Sequence, residues 1–119
     1  MINKLPIPTE YDDCLVLVDY LELLKKQGRV LNFSHTASET YTTSWKQKTK
    51  NKEMGVRKGL PDFVIVTKKA VVFIEMKRIK GGRTSPEQMD WLIAIKKAKG
   101  NCEICFGCED AKTYLNKFI

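Results

Sequence analysis

Two apolar runs, Phe63–Val66 and Val71–Ile74, are separated only by Thr67-Lys68-Lys69-Ala70, and this constrains the chain more than any other feature in it. Apolar runs joined by so short a polar link predict a buried antiparallel hairpin. With Lys68-Lys69 as a two-residue loop, Thr67 faces Ala70, Val66 faces Val71 and Val64 faces Phe73. A four-residue loop, Thr67–Ala70, keeps the same register, whereas a three-residue loop would shift it. Lys-Lys is poor chemistry for a tight turn. In the unshifted register Asp62 faces Glu75, with Cβ atoms about 5 Å apart. Lys77, two residues beyond Glu75, points to the same face.

That register carries a liability. Like charges directly opposite destabilise a hairpin, and at an effective dielectric of 20 two charges about 5 Å apart repel by about 3 kcal/mol. A marginally stable chain tolerates this only for a purpose. A divalent cation between the acids converts the repulsion into a binding site. Carboxylate oxygens suit Mg²⁺ or Mn²⁺, and the backbone C=O of Met76 offers another oxygen. Lys77 can then hold a water or stabilise charge building on a phosphate. The plainer alternative is a turn residue after Pro61 and a same-face Glu75–Lys77 ion pair.

Signals elsewhere build the surroundings. Thr9 is a good N-cap, with Glu10 and Asp12 in the first turn of a helix that runs to about Gln27 and closes at Gly28. Cys14, Leu17, Leu21 and Leu24 form its apolar stripe, and Glu10 lies at the head of that stripe. Arg29–His35 reads as a strand and residues 36–59 as a polar, irregular loop. Ser85, Pro86 and Gln88 occupy N-cap, N1 and N3 of a second helix, a capping box, ending near Lys99–Gly100. Gln88, Leu92 and Ile95 share its inward face. A strand over "CEICFG" and a short helix over "EDAKTYLNKFI" complete an order α-β-loop-β-β-α-β-α. We read this as an α/β fold, a mixed β-sheet flanked by α-helices, in one domain spanning residues 1–119.

A net charge of +7 on 119 residues, with 21 Lys+Arg against 14 Asp+Glu, points to a polyanion, nucleic acid first. Lys46, Lys48, Lys50 and Lys52 alternate, and in an extended segment they would line one side as a phosphate rail; the alternative is a solvated loop. Arg57, Lys58 and Arg83 are further candidate DNA contacts. No apolar run approaches the roughly 20 residues of a membrane span. No signal peptide is visible, which implies a cytoplasmic, reducing setting. Cys102, Cys105 and Cys108 read C-x-x-C-x-x-C, which invites a metal site. In a strand, however, Cys105 points away from the other two, and we expect small buried apolar residues instead.

Pro61-Asp62, a gap, then Glu75-Met76-Lys77 resembles the PD-(D/E)XK nuclease signature. "KEMGVRKGLPDFVIV", "VVFIEMKR", "GGRTSPEQMDWL" and "GNCEICFGCEDA" together resemble its VRR-NUC branch, the virus-type replication-repair nucleases, over most of residues 9–112. The resemblance implies a restriction-endonuclease-like core and a Mg²⁺- or Mn²⁺-dependent endonuclease. Asp62 and Glu75 match its metal ligands, Lys77 its catalytic lysine, Gln88 the glutamine of its S-x-x-Q helix and Glu10 the acid on its first helix. His35 and Glu39 sit where many relatives carry His-x-x-Asn-Glu. This chain has Ala37-Ser38 between them and lacks that asparagine, so neither is assigned a role.

The short stand-alone members that the chain resembles are viral, form homodimers and cut branched DNA such as four-way (Holliday) junctions. The resemblance therefore implies a phage- or virus-encoded homodimer acting on branched DNA in the host cell. Larger eukaryotic relatives embed the domain among other DNA-binding domains, for which this chain has no room. Three alternatives stay open. One is a non-cleaving DNA-binding module of the same fold, another a nuclease acting on flaps or nicked duplex. The third is a sequence-specific restriction enzyme, whose recognition region is hard to fit in 119 residues.

Overall fold

The computed structural model describes residues 5–36 and 44–119. The predicted hairpin forms in the predicted register. Strand β2 (Phe63–Thr67) pairs antiparallel with β3 (Val71–Lys77), with Val64 opposite Phe73 and Val66 opposite Val71. The unpromising Lys-Lys turn is closed by its neighbour. Thr67 Oγ1 accepts from the N–H groups of Lys69 and Ala70, and Thr67 N–H donates to the Ala70 carbonyl. Neither lysine needs a positive φ, so a side-chain-capped turn replaces the Asn-Gly chemistry that tight hairpins usually require.

Strand β1 (Val30–His35) pairs antiparallel with β2, and β4 (Asn101–Phe106) pairs parallel with β3, giving a mixed sheet in the order β1-β2-β3-β4 among the described residues. On one face Phe63, Ile65, Val72, Ile74 and Met76 form the core. Helices α1 (Glu10–Lys26) and α4 (Cys108–Leu115) cover this face through Leu17, Leu21, Leu24, Ala111 and Leu115, all fully buried. Each buried leucine contributes roughly 1.5–3 kcal/mol. The opposite face receives α3 (Pro86–Lys97), which buries Leu92. The α1 cap is the expected Thr9, with Asp12, expected only as a first-turn acid, completing a capping box, and Gly28 at φ 74° follows the helix end. The α3 cap is likewise Ser85 with Gln88.

Asp13 is buried in α1, where a first-turn acid would be expected to face water. Its Oδ1 accepts from the Cys108 N–H at 3.1 Å. The N-cap of α4 is Gly107, which has no side chain to serve that end of the helix. Asp13 therefore caps α4 from another helix and fixes where α1 lies on the sheet.

Two expectations change. Residues 36–59 are not wholly irregular, because α2 (Trp45–Glu53) forms there, with Ser44 capping Gln47 N–H and Gln47 Nε2 donating to Asn51 Oδ1 at 2.7 Å. No residue of α2 is buried. With 3.6 residues per turn, Lys46 and Lys50 lie on one side and Lys48 and Lys52 nearly opposite. The four lysines therefore do not make a single rail. Cys102 and Cys105 point to opposite faces of β4 as expected, but Cys108 lies outside the strand, at the start of α4, and joins Cys105 in the core. All four are free, Cys105 lies in the core beside Met76, and Cys102, opposite Phe73, lies on the other face. Burial pushes the Cys105 thiol up to about 12 and Cys102 up to about 11, which is unreactive thiol chemistry.

Candidate active site

Asp62 lies just before β2 begins, but it is held as firmly as a strand residue. Its carbonyl accepts from the Thr36 N–H at 2.6 Å, and the Thr36 hydroxyl donates to the Pro61 carbonyl. Its carboxylate Oδ2 accepts from the Met76 N–H at 2.8 Å. A strand residue's N–H and C=O project to the same side, so the Met76 carbonyl also points toward the acid end of the hairpin.

Glu75 and Lys77 lie on the α3 face of β3 and are almost entirely buried, at 3% and 7% exposure. Lys77 Nζ sits 3.3 Å from Glu75 Oε2 and donates to Gln88 Oε1 at 2.8 Å. Gln88 Nε2 donates to the same Glu75 oxygen at 2.9 Å, and its Oε1 also accepts from the Ser85 N–H at 3.0 Å. Glycines let the loops close over this network. A Cβ on Gly59, whose φ is 88°, would lie 2.5 Å from the Glu87 backbone carbon. One on Gly82 would lie 2.9 Å from Lys77 Cβ.

Glu10 arrives from the first turn of α1. One carboxylate oxygen each of Glu10, Asp62 and Glu75 lie within 4.8 Å of one another. Burial and then the Asp62 carboxylate push the Glu75 carboxyl up to about 8, with Lys77 acting in the opposite sense. Burial, followed by Asp62, also raises Glu10, against the opposing influence of Lys77 and His35. Glu75 Oε1 is buried and receives no hydrogen bond. A buried oxygen without a donor, on a carboxylate clustered with two others, is a costly arrangement unless a proton or a cation sits among them. The all-oxygen donor set is of the kind that holds a hard divalent cation.

Two clefts bear on the site, one walled in part by Glu10 and Asp62 of the cluster and one formed between residues 52–58 and the first turns of α3. The first, about 470 Å³, begins at Glu10 and Asp62 and runs along α1 past Tyr11 and Cys14. His35 forms part of its wall, its ring edge-on to Phe63 with centroids 4.9 Å apart. The second, about 400 Å³, is lined by Lys52, Arg57 and Lys58, by the acids Glu87 and Asp90, and by Val56 and Trp91, whose Nε1 donates to the Lys58 carbonyl. Arg57 and Lys58 thus lie together beside α3, and Lys52 alone of the four alternating lysines joins them. Arg83 is exposed on the loop that enters α3. Glu39 lies outside the described residues, as do Ala37 and Ser38.

Sequence reasoning found Glu10, Asp62, Glu75, Lys77 and Gln88, which the fold brings together. It missed Asp13, whose position in "EYDDC" looks like an ordinary first-turn acid, and Thr36, a polar residue just past a strand. Only tertiary structure gives either of them a partner.

The VRR-NUC domain family model matches residues 8–108. A solved structure described as a VRR_NUC domain protein superposes with a TM-score of 0.76 at 21% sequence identity, over 96% of this chain and 90% of that one. At that identity the likeness is one of fold. No curated protein matches the sequence.

Proposed function

Because the chain belongs to the VRR-NUC family, a nuclease-type family, we propose that it is a metal-dependent endonuclease that hydrolyses DNA phosphodiester bonds. The observation that carries this reading is the Glu10–Asp62–Glu75 cluster with its buried, donor-less Glu75 oxygen, next to Lys77. Asp62 and Glu75 would hold Mg²⁺ or Mn²⁺, with the Met76 carbonyl and Glu10 as further oxygens. Such an ion, when bound, supplies Lewis acidity and lowers the pKa of water.

The chain's own residues supply the rest. Lys77 stabilises negative charge developing on the phosphate or holds the attacking water. Gln88 keeps Lys77 from collapsing onto Glu75 alone by offering its amide oxygen as a second acceptor, and its amide nitrogen fixes the Glu75 carboxylate. Glu10 binds metal or orients water. Arg57, Lys58, Lys52 and Arg83 neutralise phosphates of the bound strand, and Lys46, Lys48 and Lys50 on the solvated α2 add to the basic field.

We place the substrate among branched DNAs, four-way junctions first, with the enzyme acting as a homodimer. Two sites related by a two-fold axis suit a two-fold junction. The experiment is cleavage of linear, nicked, flapped and four-way DNA in Mg²⁺ and in EDTA, with molar mass by light scattering at the same concentration. Cleavage of the four-way DNA in Mg²⁺ alone, by a dimer, is the expected result. Retention of DNA without cleavage in Mg²⁺ would assign the fold to a binding module instead. Equal cutting of linear duplex would remove the branch preference, and a monomer mass would remove the dimer.

A further inference from the structure

We propose that the cleft between α1 and the ends of β1 and β2 receives one unpaired nucleobase next to the scissile phosphate, so that cleavage requires a nucleotide splayed out of the duplex at the cut. The inference rests on the nuclease reading above and names the substrate feature that its site selects.

Position is the first argument. Glu10 and Asp62 belong both to the acid cluster and to the cleft wall. A phosphate held at the acids therefore sets its neighbouring nucleotide at the mouth of the cleft. Chemistry is the second. Cys14, Leu15, Val18 and Phe63 make the wall apolar, Tyr11 and His35 add rings, and among the described residues no lysine or arginine lines it. A phosphate track needs cations, which lie in the other cleft, where Lys52, Arg57 and Lys58 stand. A cleft with rings and no cations takes the uncharged part of a nucleotide. Size is the third, since about 470 Å³ falls within the roughly 300–1,000 Å³ of small-ligand sites. The exposure of Tyr11, 69%, is a fourth. A ring presented to water at the rim of an apolar cleft is a stacking platform of the kind that single-strand binders use. His35 is held edge-on by Phe63, which leaves its orientation fixed before a base arrives.

The test uses oligonucleotides carrying 2-aminopurine at successive positions, bound in Mg²⁺ to Lys77→Ala protein so that the strand stays intact. One position next to the cut should lose fluorescence by stacking. Adding Tyr11→Ala should abolish that signal, and Tyr11→Phe, which keeps the ring, should preserve it. In otherwise wild-type protein, an abasic analogue at that position should lower kcat/KM about 5- to 150-fold, the span expected for one base–aromatic stack. Tyr11→Ala should cost a similar factor and should remove the sensitivity to the abasic analogue.

Cleavage with uniform fluorescence along the strand, or with the abasic substrate cut at the intact rate, overturns the cleft as a base site and leaves the nuclease reading standing. Position-specific stacking without cleavage of any DNA does the reverse. A dimer that dissociates on Tyr11→Ala with fluorescence unmoved gives the cleft to a second copy of the chain and also overturns the proposal.

Discussion

Gln88 donates from Nε2 to Glu75 Oε2 across 2.9 Å, and through that contact the cap of α3 becomes part of the acid site. Its Oε1 accepts from both the Ser85 N–H and Lys77 Nζ. The two ends of the amide cannot be exchanged. Two donors demand the oxygen on one side, and a carboxylate demands the NH₂ on the other. One side chain therefore starts a helix and orients both an acid and a lysine.

Gln88→Ala should then lose more than a cap. Stability should fall by about 1 kcal/mol for the hydrogen bonds removed. Cleavage should fall at least tenfold, because Lys77 and Glu75 lose the group that spaces them. Ser85→Ala is the comparison: it removes the Ser85 side-chain half of the capping box, costs about 1 kcal/mol, and leaves the three side chains of the site in place. Melting curves and initial rates for both variants, below both melting temperatures, separate the effects. Equal loss of activity in the two would mean that Gln88 acts only as a cap.

Gly59 is the second point at which α3 is set against the acids. Its φ of 88° disfavours any side chain, and a Cβ there would meet the Glu87 backbone at 2.5 Å. Gly59→Ala should destabilise by about 1–3 kcal/mol. It should also push the Ser85–Gln88 turn away from Glu75 and lower kcat tenfold or more, since displacements near 1 Å carry penalties of that order or larger. Unchanged kcat with a lowered melting temperature would show that the turn re-seats without moving Gln88.

How much of this was legible beforehand follows from what each residue needs. The hairpin register, the Thr9 cap and the Ser85–Gln88 capping box depend on neighbours in sequence, and the sequence shows them. Helix α2 has the cap, Ser44 with Gln47, but buries nothing. It therefore has no apolar stripe, and alternating lysines suggested an extended segment where a helix forms. The Lys68-Lys69 turn looked chemically poor because its stabiliser, the Thr67 hydroxyl, precedes it. Asp13, Thr36 and the cleft beside Tyr11 depend on elements far apart in the chain, and no local pattern announces them.

Asp13 offers a test of that long-range kind. Replacing it with alanine leaves the Cys108 N–H without its acceptor at the start of α4. The cost should be about 1–2 kcal/mol, as for loss of a helix cap. Asp13→Asn keeps an acceptor oxygen and should recover part of it. Because α1 also carries Glu10, Asp13→Ala should weaken Mg²⁺-dependent stabilisation as well as the fold. A variant that melts lower but gains as much from Mg²⁺ as wild type would separate α1 placement from the acid site.

The acid pair gives a prediction whose sign can be worked out. The Glu75 carboxyl, ordinarily near 4.5, lies at about 8 in the folded, metal-free protein, through burial first and the Asp62 charge second. A raised carboxyl means that the folded state holds its proton where the unfolded chain has lost it. The associated stability is complete below about pH 4.5 and is lost as pH rises through about 8. In EDTA the protein should therefore melt lower at pH 9 than at pH 6. Asp62→Asn removes the opposing charge while keeping an oxygen for the Met76 N–H, and its amide can donate to Glu75. The variant should melt higher than wild type in EDTA, by the equivalent of about 1 kcal/mol at pH 9, after screening at a partly open site, and by less at pH 6. Excess Mg²⁺ should reverse the order, stabilising wild type by mass action and the variant much less, and the variant should not cleave. Melting curves at the two pH values, with EDTA and with Mg²⁺, decide it. An Asp62→Asn protein that melts below wild type in EDTA at pH 9 would mean that Asp62 is a structural acceptor first, and that the two carboxylates do not repel across the hairpin.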